Sequence, residues 1–303
     1  MNANSTLGNR TFATSETSIS CADRGDLERS CTSAVADSIK VAPASCGIER
    51  IEAHFHGDAF APHRHDTYAL GLTLQGVQAF WYRGAVRYSQ PGNIIVLHPD
   101  ELHDGGAGTD EGLRYRMMYL PPEMLIDALG ERRRGLPFVP SPVIADRVFA
   151  ASLAKVMRDL DWAIEDLQLG DALSGIADAL LRHADTGGIA VVGRKTDQLA
   201  IRRTCDFLQA HSDRQVTSDE LEKLSGLDRF TLARQFRASL GTSPHRYLVM
   251  RRLERARGMI GSGRSLVDIA LETGFSDQAH FARHFKKAYG VTPGHWASLS
   301  GRR

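Results

Sequence analysis

Residues 274–285 read GFSDQAHFARHF, and residues 226–236 read GLDRFTLARQF. Both phrases open on glycine, reach an Asp within three residues and end in Ala-Arg-x-Phe. Each follows a capping-box pattern, Thr217-x-x-Glu220 or Ser265-x-x-Asp268, whose side chains can satisfy the orphan N–H groups of a first helical turn. The spacing predicts a short helix behind each box, DELEKL with Leu221 and Leu224 inward and VDIALE with Ile269 and Ala270 inward. Gly226 and Gly274 then permit the left-handed backbone of a sharp turn. Leu227 or Phe275 wedges the corner, and a second helix starts behind Asp228 or Asp277. Short helix, glycine turn and second helix make a helix-turn-helix, here predicted twice.

The repeat runs further. Arg234, Phe236, Gly241 and Pro244 recur 49 residues later as Arg283, Phe285, Gly290 and Pro293. Ser243-Pro244 and Thr292-Pro293 each start another helix, with the hydroxyl as N-cap and proline at the first helical position. Tyr247 and Trp296 follow at matching places. The connecting segment HRYLVMRRLERARGMI has helical spacing and spans about 20–25 Å at 1.5 Å per residue. Such a helix can hold two reading heads on one face of a duplex, about one turn of 34 Å apart.

Charge agrees with that division. Residues 195–303 hold 19 Lys/Arg against 11 Asp/Glu, a balance of +8, while residues 1–194 hold 18 against 25, a balance of −7. A polyanion-binding module joined to an acidic partner domain produces this asymmetry, which the overall charge of +1 conceals. Four scattered cysteines, with no CxxC spacing, give neither a disulfide framework nor a zinc site and suit a reducing cytosol. No apolar run approaches the roughly 20 residues of a membrane span, and the Ser- and Thr-rich N-terminus lacks the apolar core of a signal peptide. Residues 1–45 show no periodic pattern and are expected to form a flexible tail.

From Ile48 to Leu120 the texture is β: TYALGLTL, QAFWY, VRYS and NIIVLH are short, rich in β-branched or aromatic residues and separated by QG, RGA and QPG turns. A small β-barrel or two-sheet jelly roll is expected. After Pro142, VIADRVFAASLAKVMRDLDWAI and DALSGIADALLRHA read as two amphipathic helices, free to cap the barrel's open face or to pair between subunits. Segment 186–195 reads as a linker. The fold class is therefore α+β in two domains: a β-barrel with appended helices at 46–185 and an all-α domain with two helix-turn-helix motifs at 196–303.

With these residues in view, positions 196–300 resemble the DNA-binding domain of the AraC/XylS family of transcription regulators. GFSDQAHFARHFKKAYGVTP carries the family's motif, and the first copy matches it more loosely. The β-rich half resembles the cupin-like effector and dimerisation domain of many members. Carried over residue by residue, the resemblance places Phe230, Ala233 and Arg234 of the first reading helix, and Gln278, His280, Ala282 and Arg283 of the second, at base-reading positions. Arg can donate two hydrogen bonds to guanine O6 and N7, and Gln can pair with adenine. Arg237, Lys286, Lys287 and the RRLERAR stretch at 251–257 suit phosphates or the helix surface alone.

PHRHDTY at 62–68 sets His63 and His65 on one face of a strand, and NIIVLHPDELHDGG supplies His103. Metal-binding cupins add a Glu four residues after the second histidine, where Ala69 stands here, and His98 and Asp100 replace the usual Pro and Gly nearby. Three histidines could hold a metal, line an effector pocket or serve structure alone. The resemblance favours the pocket, lined by His63, His65, Tyr68 and His103, with no metal and no cofactor assigned. It implies a cytoplasmic, sequence-specific regulator, an activator in the first instance. Its partners would be a double-stranded DNA operator, a small-molecule effector, a second copy of the chain and RNA polymerase, with no membrane. The alternatives are a metal-dependent cupin enzyme fused to a DNA-binding domain and a constitutive DNA-binding dimer. The C-terminal fragment from Lys195 is expected to fold alone, and Leu180 and Leu181 to lie in a subunit contact.

Overall fold

The computed structural model describes residues 36–45, 47–130, 135–185 and 197–301. The linker expected at 186–195 and residues 1–35 of the expected tail lie outside them. Residues 36–45, assigned to that tail, instead carry a strand, β1 (Ser38–Val41), paired antiparallel with β2 (Glu49–Phe55). The barrel continues through β3 (Asp58–His63), β4 (Tyr68–Gln75), β5 (Gln78–Tyr82), β6 (Ala85–Ser89), β7 (Ile94–Leu97), β8 (His103–Ala107), β9 (Leu113–Leu120) and β10 (Val143–Ile144). These form two antiparallel sheets in the orders β1-β2-β9-β4-β7-β10 and β3-β8-β5-β6.

The two-residue alternation of a strand explains the layering. Ala69, Ile95, Leu97, Tyr115 and Met117 face the barrel interior with Phe55, Phe80 and Tyr82. Tyr68, Leu70, Ile94, Val96, Met118 and Leu120, one step out of phase, belong to a second core. There they meet α1 (Pro122–Leu129), α2 (Arg147–Met157) and α3 (Asp166–His183) through Leu125, Phe149, Leu153, Ile176 and Leu180. A strand buried on both faces reads as an unbroken apolar run, hence Ile94-Ile95-Val96-Leu97.

The trailing helices thus do not cap the open mouth: their buried apolar side covers the outer face of the larger sheet. Leu180 is fully buried in this core, which takes it out of the subunit contact expected of it, while Leu181 is half-buried against the same core. Asp146 caps α2 by accepting the Val148 and Phe149 amides at 2.8 and 3.0 Å. At the other end the buried Arg50 donates to Val156, Asp159 and Trp162 carbonyls at 2.6–2.8 Å, satisfying carbonyl groups at and just beyond the helix end.

The C-terminal domain comprises α4 (Gln198–Ala210), α5 (Ser218–Ser225), α6 (Arg229–Leu240), α7 (Pro244–Met259), α8 (Leu266–Glu272), α9 (Gln278–Tyr289) and α10 (Pro293–Leu299). Both helix-turn-helix units form where the repeat places them. Among the described residues no helix is long and apolar enough to cross a membrane.

Candidate nucleic-acid interface and effector pocket

In the first unit Thr217 and Glu220 make the complete reciprocal capping box of α5, Gly226 ends that helix at φ 70°, and Asp228 caps α6. In the second, Ser265 caps α8, Gly274 turns at φ 85°, and Asp277 caps α9 through the His280 amide at 2.6 Å. A side chain at Gly274 would begin 2.9 Å from the Asp213 carbonyl oxygen, so glycine is required there both by backbone conformation and by close approach. Phe275 is buried at the corner, and Leu232, Phe236, Phe281 and Phe285 face inward as the repeat predicts.

Phe230, Arg234, Gln278 and Arg283 are exposed, Phe230 to 70%. Ala233, His280 and Ala282 are half-buried on the same helices. Arg234 donates to Thr231 Oγ1 at 2.9 Å on its own helix, which leaves its other donors open to a ligand. His280 Nδ1 lies 3.0 Å from Ser276 Oγ, and its ring packs edge-on against His284. Burial, then the neighbouring His280 and Lys287, lower the His284 pKa to about 4. Arg229, also outward, is held by Glu222 and Asp219 at 2.8 and 2.9 Å and braces the turn.

The RRLERAR stretch departs from expectation. Arg251 is buried, reaching Asp66 at 3.0 Å and Glu254 at 2.8 Å. Burial opposes its charge, but Glu254 and Asp66 more than offset that, so its pKa lies well above the ordinary guanidinium value. Arg257 pairs with Glu49 and lies over the Tyr289 ring at 4.4 Å and the Trp296 ring at 5.3 Å. Arg252 donates to the Ser212 and Arg214 carbonyls. Two of these arginines therefore face the barrel, not a phosphate backbone, because α7 is buried on several sides between the reading units and the barrel.

Further contacts seal the two domains together. Arg246 pairs with Asp100 and donates to the Arg64 carbonyl at 2.7 Å; the Tyr247 hydroxyl donates to Glu123 at 3.0 Å. Backbone amides of Ala61 and Arg64 donate to the Gly290 and Lys287 carbonyls, which α9 itself leaves unpaired at its end. Gly290, at φ 71°, sits so close to the barrel that a Cβ would lie 2.8 Å from the Ala61 oxygen. Sequence reasoning missed this interface, although its opposite charge balances, −7 and +8, were the available signal.

A cavity of about 510 Å³ lies along that seam, walled by Val41, His65, Asp66 and Tyr119 of the barrel and by Met250, Glu254, Arg257, Tyr289 and Trp296 of the C-terminal domain. A smaller one of about 40 Å³ adjoins His63, His65 and His103. Those three rings are brought together: their centroids stand 4.3 Å (His63–His103), 4.8 Å (His65–His103) and 6.2 Å (His63–His65) apart. Burial, and then their mutual proximity, depress the pKa of His65 and of His103 to about 3 and that of His63 well below its ordinary value, so all three rings are neutral at pH 7.

Tyr68 does not join them. The strand alternation turns it to the opposite face of β4, where its hydroxyl donates to the Pro137 carbonyl at 2.7 Å within the helix-covered core. His98 is structural as well, since its Nε2 accepts the Val139 amide at 2.9 Å and its Nδ1 meets the Tyr82 hydroxyl at 3.0 Å. Asp100, which replaces the usual glycine, nonetheless takes a left-handed backbone at φ 62°.

Comparison with known proteins agrees with both halves. Residues 45–184 match the AraC-like ligand binding domain and residues 221–298 a helix-turn-helix domain. The HTH-type transcriptional regulator YbfI of Bacillus subtilis is 25% identical over 76% of this chain and 88% of its own. The XylDLEGF operon transcriptional activator 1 of Pseudomonas putida is 24% identical over 75% and 73%. In fold the chain is similar to ToxT of Vibrio cholerae, with a TM-score of 0.59 at 14% identity over 86% of this chain and 98% of that one. A ToxT structure with a bound unsaturated fatty acid matches with a TM-score of 0.58 at 13% identity, over 87% and 96%.

Proposed function

Because the chain belongs to the AraC/XylS family of transcription regulators, we propose that it reads its operator with both helix-turn-helix units and is switched by a small organic effector held between its domains. The observation that carries this reading is the cavity of about 510 Å³ whose wall both domains share. A ligand in it touches barrel and reading domain together, and an effector acts only through different affinities for two states of the protein. The wall is mostly apolar, and it also carries Arg257 beside the carboxyl groups of Glu49, Asp66 and Glu254. An apolar organic acid would find Arg257 as its one cationic partner among the described residues there, and a ToxT structure holds an unsaturated fatty acid. Its carboxylate would compete with Glu49 for Arg257 and so loosen the seam.

Phe230, Ala233 and Arg234 would meet one major groove, and Gln278, His280, Ala282 and Arg283 the next. Arg237, Lys286 and Lys287 would supply phosphate contacts. The proposal extends to a cytoplasmic regulator, not an enzyme, that activates transcription through RNA polymerase and works as a homodimer. Self-association would use exposed side chains such as Val148, Trp162 and Leu167, since Leu180 is already spent in the core. Footprinting of the full chain, with a thermal-shift screen of fatty and aromatic acids, tests the reading. Protection of two successive major grooves on one face, and an acid that both raises the melting temperature and changes operator affinity, are expected. Protection confined to one groove overturns the two-head reading. An acid series that leaves both measurements unmoved overturns the effector.

A further inference from the structure

We infer that His63, His65 and His103 form a binding site for one divalent transition-metal ion, where the barrel meets the reading domain. This goes beyond the effector reading and does not depend on it. His63 ends β3 and His103 begins β8, and the two are direct antiparallel partners; His65 follows two residues later. One ring nitrogen from each lies within 4.8 Å of the others, and all three side chains are buried.

The hydrogen bonds decide which nitrogen is available. His63 Nδ1 contacts the Ala61 carbonyl, His65 Nδ1 the Thr67 carbonyl and His103 Nδ1 the Glu101 carbonyl, each at 2.9 Å. A carbonyl oxygen only accepts, so in each neutral ring Nδ1 carries the hydrogen and Nε2 keeps a lone pair. His65 Nε2 is buried with no hydrogen-bond partner among the described residues. A buried acceptor left so is unfavourable. A cation held by the lone pairs of all three rings would satisfy it and draw the cluster together. A backbone carbonyl on the second nitrogen is also the arrangement that orients metal-bound imidazoles.

The donor set favours zinc, iron, cobalt or nickel over magnesium or calcium, which take oxygen ligands. Tetrahedral binding at 2.0–2.1 Å sets the nitrogens about 3.3 Å apart. The rings therefore draw inward on loading. Ala69 lines the same small cavity, so its methyl supplies no fourth ligand and that position is left to solvent. About 40 Å³ admits one water there. Three neutral ligands leave the ion its full charge, and the open position would take an anionic group in place of that water.

The test uses the untagged full chain, stripped with a chelator, reloaded with Zn²⁺ and passed through a desalting column before metal analysis. One zinc per chain is expected, unchanged in His56→Ala, with affinity falling about 100-fold in His65→Ala and His103→Ala. The Co²⁺-loaded wild type should show strong tetrahedral visible absorption that shifts on adding azide, a result that needs no variant to fold. His103→Gln, close in size, should abolish that absorption while circular dichroism stays unchanged. Less than a tenth of an equivalent of zinc on the wild type, or absorption that survives His103→Gln, overturns the site.

Discussion

The two helix-turn-helix units share a sequence pattern and differ in what lies beneath them. The core of the second, with Phe275, Phe281, Phe285 and Trp296, is continuous with the barrel interior through Met250, Leu253 and the partly buried Phe60 and Tyr289. The core of the first, with Ile201, Leu221, Leu232 and Phe236, stands apart and takes only the partly buried Ile126 from the N-terminal half. Duplication supplied two equivalent reading heads, and packing made only one an extension of the ligand domain. Whatever the barrel senses has a contiguous apolar route to α9 and a thinner one, through Glu123 to Tyr247 and Asp127 to Arg202, to α6.

The strongest challenge to that contrast is a pair of core truncations. Phe285→Ala and Phe236→Ala should each destabilise their unit by about 3–5 kcal/mol. Hydrogen exchange should then show lost protection in β3 and β8 for Phe285→Ala alone. Equal losses in those strands for both variants would erase the distinction. The same contrast sharpens the expectation for the fragment from Lys195. It should keep the first unit's core intact while exposing Met250, Tyr289 and the charges of Arg251 and Arg257, and so melt first in its second unit.

Next in size come the reading heads. Arg283→Ala should weaken cognate operator binding by about 1–3 kcal/mol and spare most non-specific binding, as measured by gel shift with cognate and scrambled DNA. Arg234→Ala should do the same at the other half of the site. Loss of effector response in one variant but not the other would show which head the barrel governs; equal losses on scrambled DNA would reduce both to phosphate contacts.

Cap substitutions are smaller. Thr217→Ala and Ser265→Ala should each cost about 1 kcal/mol in thermal unfolding, with Thr217 the larger because its box is reciprocal. Smallest is the response to acid. Hydrogen bonds from Arg214 and from the Thr217 amide hold the Glu220 pKa down to about 2. Such a group stabilises the fold above its ordinary value near 4.5 and loses that contribution as pH falls through about 2. Glu222 and Asp228 are lowered in the same unit, against Asp277 in the second. The first unit should therefore open earlier on acidification, and Glu220→Gln should reduce the difference.

The reading units were legible in the sequence because their information is local. Caps, glycine turns and inward phenylalanines lie within a few residues of the bonds they make, and Asp228, Asp277 and Gly226 do what their spacing implied. The histidine cluster was legible in part, since alternation and a Pro-Gly strand pattern brought out His63, His65 and His103. Tyr68 went astray because one step along a strand reverses the face, and nothing local says where the alternation breaks after His65. Arg251 and Arg257 were unreadable for another reason. A basic helix face looks the same whether it meets phosphate or carboxylate, and their partners Asp66 and Glu49 are remote in sequence. The strand at Ser38–Val41 was missed because it is four residues long and gains its order only from β2.

The pairing of Arg251 with Asp66 bears on how this architecture can be recombined. A reading domain moved onto another family member's barrel carries with it a buried guanidinium that needs a carboxylate at one position. Without it the guanidinium keeps Glu254 of its own helix but loses its barrel partner, and the closed arrangement is disfavoured. Gly290 adds a second condition, since the incoming barrel must present a backbone edge that tolerates contact at Ala61 without a side chain between. The chain therefore looks modular along its length and is not modular in space. Exchange of specificities between relatives would have to proceed by altering the exposed residues of α6 and α9, with the inner face of α7 inherited together with its barrel.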